Sequence, residues 1–325
     1  MDALSETLRV VRLVGAIFIN ARFTAPWCYQ SPAADSVASV LEPGAERVVI
    51  FHLLTEGDCY VDLGDGTPPA HLIAGDVAVF PQGHAHLMSS RPGETPGAGR
   101  RLADVLSRRP RQLSYGGGGA PTRLVCGYLA CDARLARMLL AGLPPLVRVN
   151  VRGSNAGTWL EASVRYALAE ARSPRPGGAG VLAKLAEVLF IEVLRLHMNE
   201  QGEGRTGWLA GVRDRIVGAA LKALHTKPAH PWTLEELARA ANTSRSVLAE
   251  RFQQIVGSSP MQYLTQWRML LAANLLSRSN APLARIAEDV GYQTDTAFSR
   301  AFRREFGAPP AAWRRSHTAS EHTVR

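Results

Sequence analysis

The chain is poor in several features that would take it out of the ordinary globular class. Four cysteines in 325 residues, Cys28, Cys59, Cys126 and Cys131, are too few and too scattered for a disulfide framework, which leaves core thiols, metal ligands or redox sensors. No apolar run approaches the ~18 residues that a membrane-spanning helix needs. The opening Met1-Asp2-Ala3-Leu4-Ser5-Glu6 is acidic and polar, unlike a signal peptide, so a cytoplasmic location without a membrane partner is expected. A charged fraction of only 20% beside 46% hydrophobic residues excludes a disordered chain. The length suggests two domains, each large enough for its own core.

What charge there is lies unevenly. Of the net +9, the stretch from Gly207 onward holds 16 Lys/Arg against 9 Asp/Glu, while the longer remainder holds 21 against 19. A basic C-terminal third suits a polyanionic partner, although charge alone is a weak pointer.

To about Ala130 the pattern is that of β-structure. Ala16–Ile19, Val48–Leu54, Cys59–Leu63, Leu72-Ile73, Val77–Phe80 and Leu124–Leu129 are short strand-like runs separated by Glu56-Gly57-Asp58, Gly64-Asp65-Gly66 and Ala74-Gly75-Asp76. Such punctuation favours an antiparallel sandwich or barrel. Residues 91–121, with six arginines and Gly116–Gly119, interrupt it and are expected to form a flexible insertion. A helix within Arg101–Arg109 that touches DNA is the alternative. From Asp132 the period becomes helical, near Ala133–Leu140, Thr158–Ala171 and Ala179–Met198. The last of these has apolar surface enough to pair with a second copy, or to pack on its own domain. The polar, Gly-rich residues 199–205 form a linker, followed by a helix at about Val212–His225.

The C-terminal region contains one pattern twice. In Trp232–Phe252, Thr233 and Glu236 form a capping box, Leu234, Leu237, Ala238 and Ala241 face inward, and Ser244 caps a second helix whose Val247, Leu248, Phe252 and Ile255 fill the core. In Leu283–Phe302 the register repeats: Ile286 stands for Leu237, Ala287 for Ala238, Val290 for Ala241, Phe298 for Leu248 and Phe302 for Phe252, with a turn one residue longer. Each half is a helix-turn-helix. Gln262–Leu276 reads as one long helix that would hold the two second helices about one DNA turn apart.

The run from Trp232 to Trp313 resembles the C-terminal domain of AraC/XylS-type transcription regulators. The resemblance is carried by Phe252, Gly257-Ser258-Ser259-Pro260, Tyr263-Leu264 and Trp267-Arg268, then by Ile286-Ala287, Val290-Gly291-Tyr292, Phe298–Arg304, Phe306-Gly307 and Pro309-Pro310. It implies a double-stranded DNA operator and RNA polymerase as partners, and it places Arg300 where a base edge is reached, where Arg suits guanine. Ser246, Asp295, Thr296 and Ser299 are further base-contact candidates. Ala249 offers only a methyl contact, and Glu250 sits where a longer donor is expected. Arg245, Arg268, Arg303 and Arg304 are assigned to phosphates, which position without specifying.

A weaker resemblance covers the N-terminal part, to the cupin-like sensor domain of one branch of that family. Gly75-Asp76-Val77-Ala78-Val79-Phe80-Pro81-Gln82-Gly83-His84-Ala85-His86 fits the second cupin motif, a turn and strand followed by a Pro-x-Gly bend that aims His86 inward. The first motif's His-x-His pair is missing and only His52 stands on the corresponding strand, so an oxygen-activating iron triad cannot be assembled. His52, Cys59, His86 and Cys126, with His84 as alternate, make a possible tetrahedral zinc set, in which Cys59 or Cys126 would also be an oxidation trigger. Otherwise the histidines line an effector pocket and the cysteines are buried small hydrophobes.

The expected architecture is α+β: a cupin-like barrel over residues 1–130, helices over 131–200 that form a homodimer, a DNA-binding domain over 207–315 and a tail over 316–325. The expected function is a non-enzymatic, sequence-specific transcription regulator whose barrel senses a small effector, a metal or a redox signal. A cupin-type metal enzyme with secondary DNA binding, and a pure metal or oxidant sensor, are the rivals.

Overall fold

A computed structural model describes residues 2–10, 19–41, 47–95, 112–131, 138–140, 142–152, 157–172, 175–200 and 206–322. The chain divides into two compact units: Leu13–Ala136 with Leu143–Gln201, and Met1–Arg12 with Arg137–Gly142 and Gly202–Arg325.

The first unit is built on ten strands: β1 (Ile19–Thr24), β2 (Cys28–Ser31), β3 (Arg47–Glu56), β4 (Asp58–Asp62), β5 (Ala70–Ile73), β6 (Asp76–Phe80), β7 (His86–Ser89), β8 (Gln112–Gly116), β9 (Pro121–Cys131) and β10 (Val147–Asn150). They form a six-stranded sheet, β10-β6-β3-β9-β1-β8, and a four-stranded sheet, β2-β7-β4-β5. All pairs are antiparallel except β1 with β8. The expected cupin-like β-structure is therefore a sandwich of two sheets. Its core joins Phe23, Val48, Ile50, Leu54, Ala78, Phe80, Leu124 and Tyr128 of the larger sheet to Cys59, Val61, Leu72 and Met88 of the smaller.

Strand β3 explains why the larger sheet lies in the middle. Its residues Val48 to Leu54 are buried without a break, so both of its faces are covered. Alternate residues Val48, Ile50, His52 and Leu54 share one face, and Ile50, Val48 and Leu54 belong to the sandwich core. Of the helices α2 (Ala34–Leu41), α3 (Gly157–Arg172) and α4 (Gly178–Glu200), α4 lies against β9 and β10 and buries Ala186, Leu189, Phe190, Val193 and Leu194. Buried Asp76 ties the edge together, accepting from Arg148 Nε at 2.9 Å and Asn150 Nδ2 at 2.7 Å on β10.

The strand-like runs read from the sequence lie in strands, apart from Leu63, one residue past the end of β4, and Ala16–Phe18, which fall outside the described residues. Several elements were not anticipated, among them strand β7, helix α2 and the helix over residues 3–10. Residues 28–31 and 112–116 are strands, the latter within the expected insertion, and 147–150 is a strand inside the stretch read as helical. The proposed Arg101–Arg109 helix lies outside the described residues. Residues 3–10 form α1 (Ala3–Val10), which packs on the second unit rather than in the sandwich.

That second unit continues with α5 (Trp208–Arg213), α6 (Arg215–Thr226), α7 (Leu234–Ala240), α8 (Arg245–Val256), α9 (Pro260–Arg278), α10 (Leu283–Asp289), α11 (Asp295–Phe306) and α12 (Pro310–His322). The local chemistry of each start is legible. Asp214 breaks α5 from α6 by accepting from the Ile216 and Val217 amides. Thr233 and Glu236 form the expected capping box, Ser259 and Gln262 form another with Pro260 at the first helical position, and Ser244 and Thr294 cap α8 and α11. The paired positions Leu237/Ile286, Ala238/Ala287, Ala241/Val290, Leu248/Phe298 and Phe252/Phe302 are all buried. Val247 is not: at 45% exposure it lies outside the core it was expected to fill.

Helix α9 carries a buried polar centre and a clamp. Trp208 Nε1 donates to Tyr263 Oη at 2.6 Å, and Tyr263 Oη is 2.7 Å from His225 Nε2, with His225 stacked on Trp267. One turn on, Arg268 donates to the Pro228 and His230 carbonyls at 2.7 and 2.8 Å and lies over the Tyr292 ring. The turn of the second helix-turn-helix approaches so closely that only glycine fits at 291, where φ is +84° and a Cβ would come within 2.6 Å of the Ala229 carbonyl oxygen. Gly291→Ala should therefore destabilise the second unit by about 1–3 kcal/mol, seen as a lower urea midpoint in tryptophan fluorescence; an unchanged midpoint would refute the close packing.

Candidate DNA-reading helices and sandwich cavity

Helices α8 and α11 are the second helices of the two repeats, and their outward residues form two polar surfaces. On α8, Arg245, Ser246 and Glu250 are exposed and Ala249 is half-buried; Glu250 accepts from Gln254 Nε2 at 3.2 Å. On α11, Asp295, Thr296, Arg300, Arg303 and Arg304 are exposed and Ser299 is half-buried. Arg245, Arg300 and Arg303 form no ion pair among the described residues, so their guanidinium groups face water. By contrast, Arg251 of α8 pairs with Asp214 at 2.6 Å and holds the helix to the start of α6. Arg268, expected on a phosphate, is corrected here: its guanidinium is half-buried and committed to two backbone carbonyls and a tyrosine ring, which makes it a structural clamp.

The candidate residues in the sandwich converge only in part. His52 on β3 and His86 on β7 face each other from opposite sheets with their Nε2 atoms 2.9 Å apart. His86 Nδ1 lies 2.9 Å from the His84 carbonyl oxygen and must donate to it. His86 also stacks on Phe80, with ring centroids 3.5 Å apart. Cys126 is the cross-strand neighbour of His52 on β9, whereas Cys59 sits on β4 in the core and His84 is exposed. Among the described residues no group of three or more His, Cys, Asp or Glu is arranged to hold a metal ion, so the expected zinc set is not assembled. The reason is local: the two imidazoles satisfy one another instead of turning together toward a third ligand.

Between the sheets lies a small, largely apolar cavity lined by Ile19, Phe23, Tyr29, Ser31, Leu41, Ile50, His52, Met88, Leu113, Leu124, Cys126, Gly127 and Tyr128. Six of these thirteen come from β1, β2, α2 and β8, whose short runs carry no motif; the alternation of Ile19, Ala21 and Phe23 was the signal available. Burial keeps the cavity uncharged. It holds His52 well below its ordinary range, aided by His86, and lowers His86 to about 4. It pushes the Cys126 thiol up to about 12 and raises Cys59 and Cys28 as well. A thiol held protonated is a poor nucleophile toward oxidants, which argues against the oxidation trigger.

No described helix is long and apolar enough to cross a membrane. A cupin family model matches residues 2–199 and a helix-turn-helix domain model matches residues 237–316. An AraC-like transcription regulator of Streptomyces lividans is 36% identical over 277 residues, covering 84% of this chain and 89% of its own. The HTH-type transcriptional regulator AlkR of Acinetobacter baylyi is 29% identical over 323 residues, covering 97% of this chain and 99% of its own. Among solved structures, the DNA-binding domain of AdpA in complex with a target DNA is 32% identical, covering 33% of this chain and 96% of that domain, with a TM-score of 0.31.

A cupin sandwich joined to duplicated helix-turn-helix units with basic, exposed second helices defines a DNA-binding transcription regulator. The chain belongs to the AraC family of such regulators.

The buried groups make two expectations concrete. At neutral pH the native protein should react slowly with a thiol-specific disulfide reagent at Cys59 and Cys126, and rapidly once unfolded; fast native labelling of both would refute their burial as protonated thiols. His86, and His225 lowered to about 3, stay neutral in the fold but gain protons when unfolded near 6.5. Their contribution is fully present above that value and falls as pH drops, so the urea midpoint should decline between about pH 7 and 5. A flat profile would show that they are solvated.

Proposed function

We propose that this regulator reads a two-part operator, with α11 supplying most of the direct base contacts and α8 supplying position and shape. In this reading Arg300, with Asp295, Thr296 and Ser299, faces one stretch of major groove. Ser246, Ala249 and Glu250 face the other, and Arg245, Arg303 and Arg304 neutralise phosphates. The observation that carries it is the asymmetry of two equivalent helices: α11 offers an exposed, unpaired Arg300, and α8 offers Glu250 at the comparable face. An acidic side chain is repelled by the phosphate backbone, so first-half specificity falls to DNA shape and weak contacts.

The sandwich serves as the effector domain. A small molecule entering its cavity changes which half-sites are occupied together, through a homodimer that recruits RNA polymerase. Support for a second copy comes from the exposed apolar residues Trp159 (48%) and Tyr166 (44%) on α3 and Val181 on α4. Polymerase recruitment rests on the family alone.

Operators selected from a random DNA pool by the purified protein supply the test. Arg300→Ala should weaken binding to the selected operator by about 1–3 kcal/mol and relax preference at one base pair, leaving other positions unchanged. Greater losses from Glu250→Ala or Ala249→Ser would reverse the assignment of the two helices.

A further inference from the structure

The sandwich cavity has a chemistry narrow enough to name the class of molecule it accepts. Its walls are largely apolar, from Ile50, Met88, Leu113 and Leu124, with Tyr29 and Ser31 among the lining residues, and no Lys, Arg, Asp or Glu lines it. An ion entering would lose its hydration without gaining a counter-charge. One polar group on the wall is incomplete. His86 Nδ1 donates to the His84 carbonyl, so neutral His86 presents a bare Nε2. His52 Nε2 must then carry the proton shared at 2.9 Å, and this leaves His52 Nδ1 as a lone pair. That atom is buried and has no hydrogen-bond partner, on a side chain only 3% exposed. The hydroxyl of Tyr128 does not fill the need, because it is directed to the Leu41 carbonyl at 2.5 Å.

We propose that the cavity binds a small, uncharged, largely apolar molecule carrying one hydrogen-bond donor, such as a phenol or an alcohol, whose O–H is accepted by His52 Nδ1. The proposal rests on the effector reading of the sandwich. A buried acceptor left unpaired is costly, and a ligand donor recovers that cost on binding, so the donor is selected for and not merely tolerated. A ketone or a carboxylate meets His52 acceptor to acceptor and gains no bond from it. His86 is the positioning residue: its bond to the His84 carbonyl sets which nitrogen of His52 is left free. Burial of both rings favours the neutral forms that this arrangement requires.

The test uses three probes of one shape with the full-length protein at neutral pH: p-cresol, toluene and 4-methylbenzoate, each titrated by calorimetry. The expected result is binding of p-cresol about tenfold tighter than toluene, with no detectable binding of the benzoate. His52→Phe should abolish the difference between p-cresol and toluene while toluene still binds. Should that variant fail to fold, the ratio in the unaltered protein decides the matter alone. Equal affinity for p-cresol and toluene, or tight binding of the benzoate, would overturn the donor rule and leave the cavity a ligand site. Binding of none of the three would overturn both the donor rule and the effector reading.

Discussion

One guanidinium group fixes the geometry on which DNA reading depends. Two recognition helices are useful only if their separation is constant, because successive major grooves lie one helical turn apart. Helix α9, nineteen residues and about 27 Å long, provides the spacer. A spacer alone leaves each unit free to swivel about its end. Arg268 removes that freedom by gripping the 228–230 backbone ahead of the first unit and the Tyr292 ring in the turn of the second. The absence of a side chain at Gly291 lets these segments meet. An arginine assigned by pattern to the DNA backbone thus acts on the protein's own backbone. Its planar, multi-donor group is suited to two carbonyls and a ring at once.

The sandwich obeys a different constraint. A continuous apolar strand, β3, demands cover on both faces, which the smaller sheet and the helices supply. Within that dry interior the buried His52–His86 contact links the two sheets side chain to side chain, while Thr122 and Tyr115 bridge them by donating to the Asp58 and Cys28 carbonyls. Burial favours the neutral form of the histidine pair, which leaves one acceptor unsatisfied. The same desolvation disfavours the thiolates of Cys59 and Cys126.

Much of this could be read from the chain as text. The duplicated register from Leu237 to Phe252 and from Ile286 to Phe302, the capping box at Thr233 and Glu236, the long spacer and the main strands all follow from local periodicity and capping chemistry. So does the family, because its signature residues lie close together in sequence. Short edge strands such as Cys28–Ser31 and Val147–Asn150 were not legible; their four residues become strands only because a neighbour offers its edge.

What the sequence by itself determined was the order of elements, the two-part organisation and the candidate faces of α8 and α11, since these depend on neighbours a few residues apart. Tertiary structure alone decided the company each polar side chain keeps. It turned Arg268 inward, left Val247 in water, set His52 against His86, and drew α1 onto the C-terminal unit. Each of these depends on atoms brought together from distant parts of the chain, where desolvation and hydrogen-bond satisfaction outweigh any local preference.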